Sequence, residues 1–212
     1  MDKNFYLELA RSGRRMPIAT HLVLHEKSDP EAILIDGERL AAVMLETAER
    51  FGNPLALPIM DLTLEKDILL RTMGVPPEQT ESFHFDALPD AAAATKVTTD
   101  TDVLVPPRIK ANCDALRMLA EGGKVIPVGM SIGPFSLLTK LLKDPITPIY
   151  MAGTGLGAED DDDVALICAL LKLSETIIHP TCMAQIKAGA KALFLCEPAA
   201  NLVYFSPNQI RD

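Results

Sequence analysis

Residues 124–142 read KVIPVGMSIGPFSLLTKLL. The first seven, KVIPVGM, form a short apolar run led by Gly122-Gly123, as expected of a buried strand. Gly133 and Pro134 then open a helical pattern running to Lys143, because proline suits the first turn of a helix. A buried strand passing directly into a helix is the repeating half of a parallel α/β sheet.

The same alternation extends in both directions. Residues 4–11 predict a short helix, and MPIATHLVLHE (16–26) reads as a strand. On that strand Ile18, Thr20, Leu22 and Leu24 share one side, and Ala19, His21, Val23 and His25 the other. Asp36 is the expected N-cap of a helix carrying Leu40, Val43, Met44, Ala48 and Phe51, stopped by Gly52 and Pro54. PLALPIMD (54–61) is a second strand ending on a carboxylate, followed by a helix over 62–74. Residues 75–107, rich in proline, aspartate and alanine, form an irregular excursion with room for one short strand. A helix over 108–121 precedes the 124–130 strand, and 145–155 is a short helix or loop. Residues 160–188 keep a helical period from Val164 to Ile186, with a kink or break expected near 176–180 because Pro180 lies inside. KALFLCEP (191–198) is the fourth strand, and Ser206-Pro207 has the form of a new N-cap and first helical residue.

Composition bounds the function. The net charge is -9, from 20 Lys+Arg against 29 Asp+Glu, which disfavours nucleic acid as a partner. Apolar residues at 48% with no Trp mean that aliphatic side chains and Met must fill the core. Four cysteines and no apolar run of signal length point to a reduced, cytoplasmic setting. VALICALL (164–171) is far shorter than the roughly 20 residues of a membrane span, so no membrane is expected.

In parallel α/β folds, open or closed, functional residues gather at the C-terminal ends of the strands. Here those ends hold His21–Glu26, Asp61, Met130–Gly133 and Cys196–Asn201. Asp61 is the expected catalytic group, because a half-desolvated carboxylate suits acid/base work; an N-cap role for the following helix is compatible with it. His25, Ser131, Gly133, Glu197 and Asn201 are the expected substrate-binding residues. His21 and His25 would stand about 13 Å apart on a strand rising about 3.3 Å per residue, too far to share an ion. No metal site is therefore assigned to this chain. His179 and Cys182 share a helical turn without a second pair nearby. GTGLGA (153–158) lacks the preceding strand of a dinucleotide loop, and Glu159–Asp163 suits a helix N-terminus.

Four stretches in order resemble the uroporphyrinogen decarboxylase superfamily: RMPIATHL (15–22), DGERLAAVMLETAERFGNPLALPIMDLTLEKDILLRTMG (36–74), VIPVGMSIGPFSLLTKLL (125–142) and AQIKAGAKALFLCEPAANLVYFSPNQI (184–210). The superfamily holds the decarboxylase of porphyrin biosynthesis, a lyase, and corrinoid-linked methyltransferases. The resemblance implies a (β/α) TIM-barrel type, of which 1–212, read as one α/β domain, contains only about the first four βα units. It matches Asp61 to the Asp that closes the second strand and binds substrate pyrrole N–H groups in the decarboxylase. It matches Gly129–Phe135 to a glycine-rich strand end and Glu197-Pro198 to an acidic-proline step of methyltransferase-like members.

The departures from the decarboxylase are specific. HLVLHE stands where it carries arginines, its tyrosine falls on or near Lys140, and its serine falls on Pro198. The methyltransferase-like branch, moving a methyl group from methylcobamide to a thiol or similar acceptor, fits better. That branch uses zinc held by a His-x-Cys motif and a later Cys, and no His-x-Cys occurs in 1–212. The resemblance thus implies Zn and a corrinoid for the full-length family and none bound by this chain alone. The implied partners are a corrinoid protein or small-molecule methyl donor. With two sheet edges open, completion by another chain, most simply in a homo-oligomer, is also expected. The alternatives are the porphyrin-pathway decarboxylase itself and a non-catalytic, ligand- or partner-binding half-barrel.

Overall fold

The computed structural model describes residues 3–99, 106–201, 203–205, 207 and 211. The fold is α/β, mostly helical, around a three-stranded parallel sheet of order β1-β2-β3. β1 is Leu55–Ala56, β2 is Ile126–Ile132 and β3 is Ala192–Cys196. β1 pairs with β2 in parallel through Leu55 with Ile126 and Ala56 with Pro127. Lys191 N–H donates to Pro127 O at one end of β3 and Gly133 N–H to Cys196 O at the other, so β3 runs the same way. The helices are α1 (Lys3–Arg11), α2 (Thr20–His25), α3 (Pro30–Ile33), α4 (Gly37–Arg50), α5 (Leu64–Thr72), α6 (Ala91–Thr99), α7 (Pro107–Gly122), α8 (Pro134–Leu141), α9 (Ile146–Gly153) and α10 (Asp162–Lys187).

Every residue of β2 is buried. Its backbone groups therefore need partners inside the protein. β1 stops opposite Pro127, and the side chain of Gln185, 2% exposed, takes over further along. Met130 N–H donates to Gln185 Oε1 (2.8 Å) and Gln185 Nε2 donates to Met130 O (3.0 Å), as a neighbouring strand would. Gly129 makes room for this: a Cβ there would stand 2.7 Å from Leu193 Cδ2 and 2.8 Å from Gln185 Oε1. Pro127 has no N–H to pair, and its carbonyl accepts from Lys191 N–H at the start of β3.

Contacts within the chain group into two compact units. The first takes residues 1–60, 106–130 and 182–194. Its core is Val23, Leu24, Ile33, Leu40, Met44, Ala115, Leu116 and Ala188, with α4 packed along α7. Gly37 opens that helix contact, since a Cβ there would lie 2.5 Å from Asp114 Cβ. Asp36 caps α4 as expected, accepting from Glu38 N–H and Arg39 N–H. The second unit takes residues 61–105, 131–181 and 195–212. Its buried side chains include Ile68, Leu69 and Leu70 of α5, Leu137, Leu138 and Leu141 of α8, and Leu170, Leu173 and Ile177 of α10.

Three sequence expectations are corrected. The 16–26 strand is helix α2. Thr20, Val23 and Leu24 are buried at i, i+3 and i+4, and Thr20 Oγ1 donates to Leu57 O (2.5 Å). A short apolar run fits both periods, and tertiary burial selects the helical one. The described residues accordingly carry three strands of the expected four. Helix α10 runs through Pro180 without a break, its residues Leu173, Ser174, Ile177, Ile178, Thr181 and Gln185 buried on both sides of the proline. The 54–60 strand shortens to Leu55–Ala56, and the 124–130 strand extends to Ile132. Among the described residues the excursion holds a 3-10 turn at Pro77–Gln79, α6, and a parallel bridge of Phe85 with Leu142. The expected N-cap Ser206 lies outside the described residues, as do 100–105. At 26 residues α10 is long and apolar enough to cross a membrane, yet half of its most apolar stretch is buried in the fold, as in a core helix.

Replacing Gln185 with Leu keeps the volume and strips both partners from Met130. The expected loss is about 3 kcal/mol of unfolding free energy by urea titration, set by two buried backbone groups left unpaired.

Candidate functional site

The C-terminal ends of the strands carry most of the expected site residues. Asp61 lies five positions beyond the shortened β1 rather than at its mouth, Ser131 lies within β2, Gly133 follows it, and Glu197 and Asn201 follow β3; all five belong to the second unit. His25 belongs to the first unit, in the last turn of α2, and is exposed. The helix brings the His21 and His25 rings within 6.4 Å between centroids, edge to face, in place of the wide strand spacing.

Asp61 shapes the entry to α5. Its Oδ1 accepts from Thr63 N–H (2.9 Å) and Thr63 Oγ1 (2.5 Å), a turn stabilised by aspartate just ahead of the helix. Asn201 works locally too, donating to Pro198 O (2.5 Å) and accepting from Val203 N–H (2.8 Å).

Glu197 caps α8 from the end of β3. Phe135 N–H donates to its Oε1 (3.0 Å) and Ser136 N–H to its Oε2 (2.7 Å), while Ala199 N–H donates to Ser136 Oγ (3.1 Å). A carboxylate at a helix N-terminus meets unpaired N–H groups and the positive end of the helix dipole. Gly133 is required by this contact: a Cβ there would collide with the Glu197 carboxyl group. Phe135 stacks on Phe205 at 4.5 Å between ring centroids.

Glu65 is the residue that sequence reading missed. It lies on α5 at 1% exposure, on the same face as Ile68 and Leu69. Ser131 Oγ donates to its Oε1 at 2.5 Å, and its Oε2 is buried with no partner. Burial raises its pKa above the usual carboxylate range; the charge of Asp61 pushes the same way, against the Ser131 hydroxyl and the backbone of Glu65 and Ile132. Cys196 is buried, and burial, then the charges of Glu65 and Glu197, raise its thiol pKa. The available signal was the i, i+3, i+4 pattern Glu65, Ile68, Leu69, which puts a carboxyl on an apolar stripe. Lys66, next along α5, is also buried; desolvation lowers its pKa and its Nζ donates to Glu81 O (2.9 Å).

Among the described residues, no three His, Cys, Asp or Glu side chains converge as metal ligands. Asp161 accepts from Asp163 N–H and Val164 N–H, so the acidic run caps α10, and GTGLGA follows α9 rather than a strand.

No protein-family model matches the chain, and no curated protein matches it. Its structure is similar to that of a methyltransferase from Methanosarcina mazei, with a TM-score of 0.60 and 18% sequence identity. The similarity covers 93% of this chain and 56% of that one, so the chain spans little more than half the length of that structure. At that identity the likeness establishes a shared α/β fold.

Gly133→Ala and Glu197→Ala are each expected to lower unfolding free energy by about 1–3 kcal/mol, through crowding and a lost cap respectively. The double variant should lose clearly less than the sum, because removing the carboxyl makes room for the added methyl. A double-mutant cycle by chemical denaturation measures that coupling.

Proposed function

We propose that this chain is part of a (β/α) TIM-barrel methyltransferase of the uroporphyrinogen decarboxylase superfamily, corrinoid-linked and acting on a thiol or similar acceptor. The observation that carries the reading is the likeness to the Methanosarcina mazei methyltransferase along 93% of the chain, joined to the four superfamily-like stretches in order. The placement of Ser131, Gly133 and Glu197 at the C-terminal ends of β2 and β3 supports it, since this is where such folds keep their chemistry.

Zinc does not fit the described residues, which bring no three ligands together. In this reading zinc and the corrinoid are held by polypeptide outside 1–212, and no step is assigned to them here. The contribution of this chain is positional and electrostatic. Glu197 and Gly133 hold the N-terminus of α8 at the strand ends, Asp61 orders the entry to α5, and Glu65 with Ser131 supplies a buried hydrogen-bonding pair. The decarboxylase reading is weaker. No arginine stands in HLVLHE (21–26) to anchor an anionic tetrapyrrole, which would leave its carboxylates desolvated and unpaired.

The test uses the protein purified from its native source, with zinc, methylcobalamin and a low-molecular-weight thiol. The expected result is loss of methylcobalamin absorbance with a methyl thioether detected by mass spectrometry, reduced by at least about tenfold, or about 1.4 kcal/mol, in Asp61→Ala. Conversion of uroporphyrinogen to coproporphyrinogen without methyl transfer would replace this reading with the decarboxylase one. Neither activity would leave the non-catalytic half-barrel.

A further inference from the structure

If Glu65 is ionised, Ser131 has one hydrogen for two nearby acceptors. The Ser131 hydroxyl has one hydrogen to give. Two acceptors lie within its reach, Glu65 Oε1 at 2.5 Å and Ile132 O at 3.1 Å. An ionised carboxylate can only accept, so one hydrogen would have to serve both. Oε2 of the same carboxyl is buried without a partner, and the residue is 1% exposed. An anionic oxygen buried without a protein partner is strongly unfavourable.

A single proton removes both difficulties. Placed on Oε1, it donates to Ser131 Oγ, and the serine hydrogen goes to Ile132 O. Oε2 then becomes an uncharged carbonyl oxygen, which tolerates lacking a partner far better than a carboxylate oxygen does.

We propose that Glu65 is a neutral, proton-holding acid at neutral pH, and that with Ser131 it forms a proton-gated hydrogen-bond pair near the C-terminal end of β2. Loss of the proton reverses the pair: the Ser131 hydroxyl turns to Glu65 and leaves Ile132 O. The charged and titratable groups acting around it are Asp61 before α5 and Cys196 on β3, with Glu197 acting in turn on Cys196. The backbone of Glu65 and Ile132 favours the ionised form, and burial outweighs it. The strand-end cluster thus has a resident proton beside its carboxylates. This assignment stands independently of methyl transfer.

The sign of the pH dependence follows. An acid whose pKa is raised on folding contributes nothing to the pH dependence below the unfolded Glu pKa, about 4.3, and costs stability as pH rises from there through its folded value. Glu65→Gln keeps a neutral side chain with an amide donor for Ser131 Oγ, and it has no proton to lose. The thermal midpoint of Glu65→Gln minus that of wild type is therefore expected to increase steadily as pH rises from about 4 to about 8.

The deciding experiment is infrared difference spectroscopy, wild type minus Glu65→Gln, on the purified full chain. A protonated-carboxyl C=O stretch is expected in the wild type at about pH 7, where an ordinary glutamate is ionised. The band should be missing from Glu65→Gln and shifted in frequency in Ser131→Ala. Ionised-carboxylate bands alone at about pH 7 would overturn the proposal. A protonated band that Ser131→Ala leaves unmoved would overturn the pairing. Should Glu65→Gln fail to fold, the wild-type band titrated against pH decides: its disappearance through the ordinary glutamate range, near about 4.3, rejects the assignment.

Discussion

Burial of all seven residues of β2 is the constraint on which the rest of the structure turns. A strand with no exposed residue cannot leave an N–H or C=O to solvent, so each must be met by protein. β1 covers only Leu55 and Ala56, and the shortfall is made good by a side chain, with Gln185 of α10 standing in for strand backbone at Met130. That substitution fixes several residues at once. Gly129 must lack a side chain, Gln185 must sit inside at 2% exposure, and α10 must keep its register through Pro180 to deliver it.

The strand ends repeat the same logic with charge. Helix α8 begins beside the end of β2, and its first N–H groups are met by Glu197 from the end of β3. Gly133 is small because that carboxyl group occupies the space of its side chain. Glu65 reaches Ser131 from α5, so one carboxyl caps a helix while the other is buried against a serine. Burial and neighbouring charge shift Glu65 and the Cys196 thiol toward their protonated forms. Acidic groups held in unlike environments at the strand ends are what a parallel α/β fold offers to chemistry.

The elements legible in the sequence are those whose signals are local. Asp36 before Leu40, Val43, Met44 and Ala48 announced α4 and its cap, and both are present. Gly122-Gly123 before an apolar run announced β2, and Gly133-Pro134 announced α8. THLVLH reads as a strand, yet alternating and helical periods both place apolar residues inward over six positions, and the structure makes it a helix. The contact of Thr20 with Leu57 O, 37 positions away, helps settle it as helix. Pro180 shows the reverse case. Its local cost argued for a break, and the buried flanks of α10 outweigh it.

By itself the sequence determined an α/β class of fold, most of the main helices, the strand leading into α8, and the positions of Gly133 and Glu197 just past strands. Periodicity, caps and glycine or proline punctuation act within a few residues, and these features need nothing more. Only the tertiary structure decided that residues 20–25 coil, that Glu197 caps a helix more than 60 positions earlier, that Gln185 completes β2, and that Glu65 is sealed against Ser131. Each of these joins groups far apart in the chain. Their energies come from desolvation and hydrogen bonding, which do not exist until the distant partner has arrived.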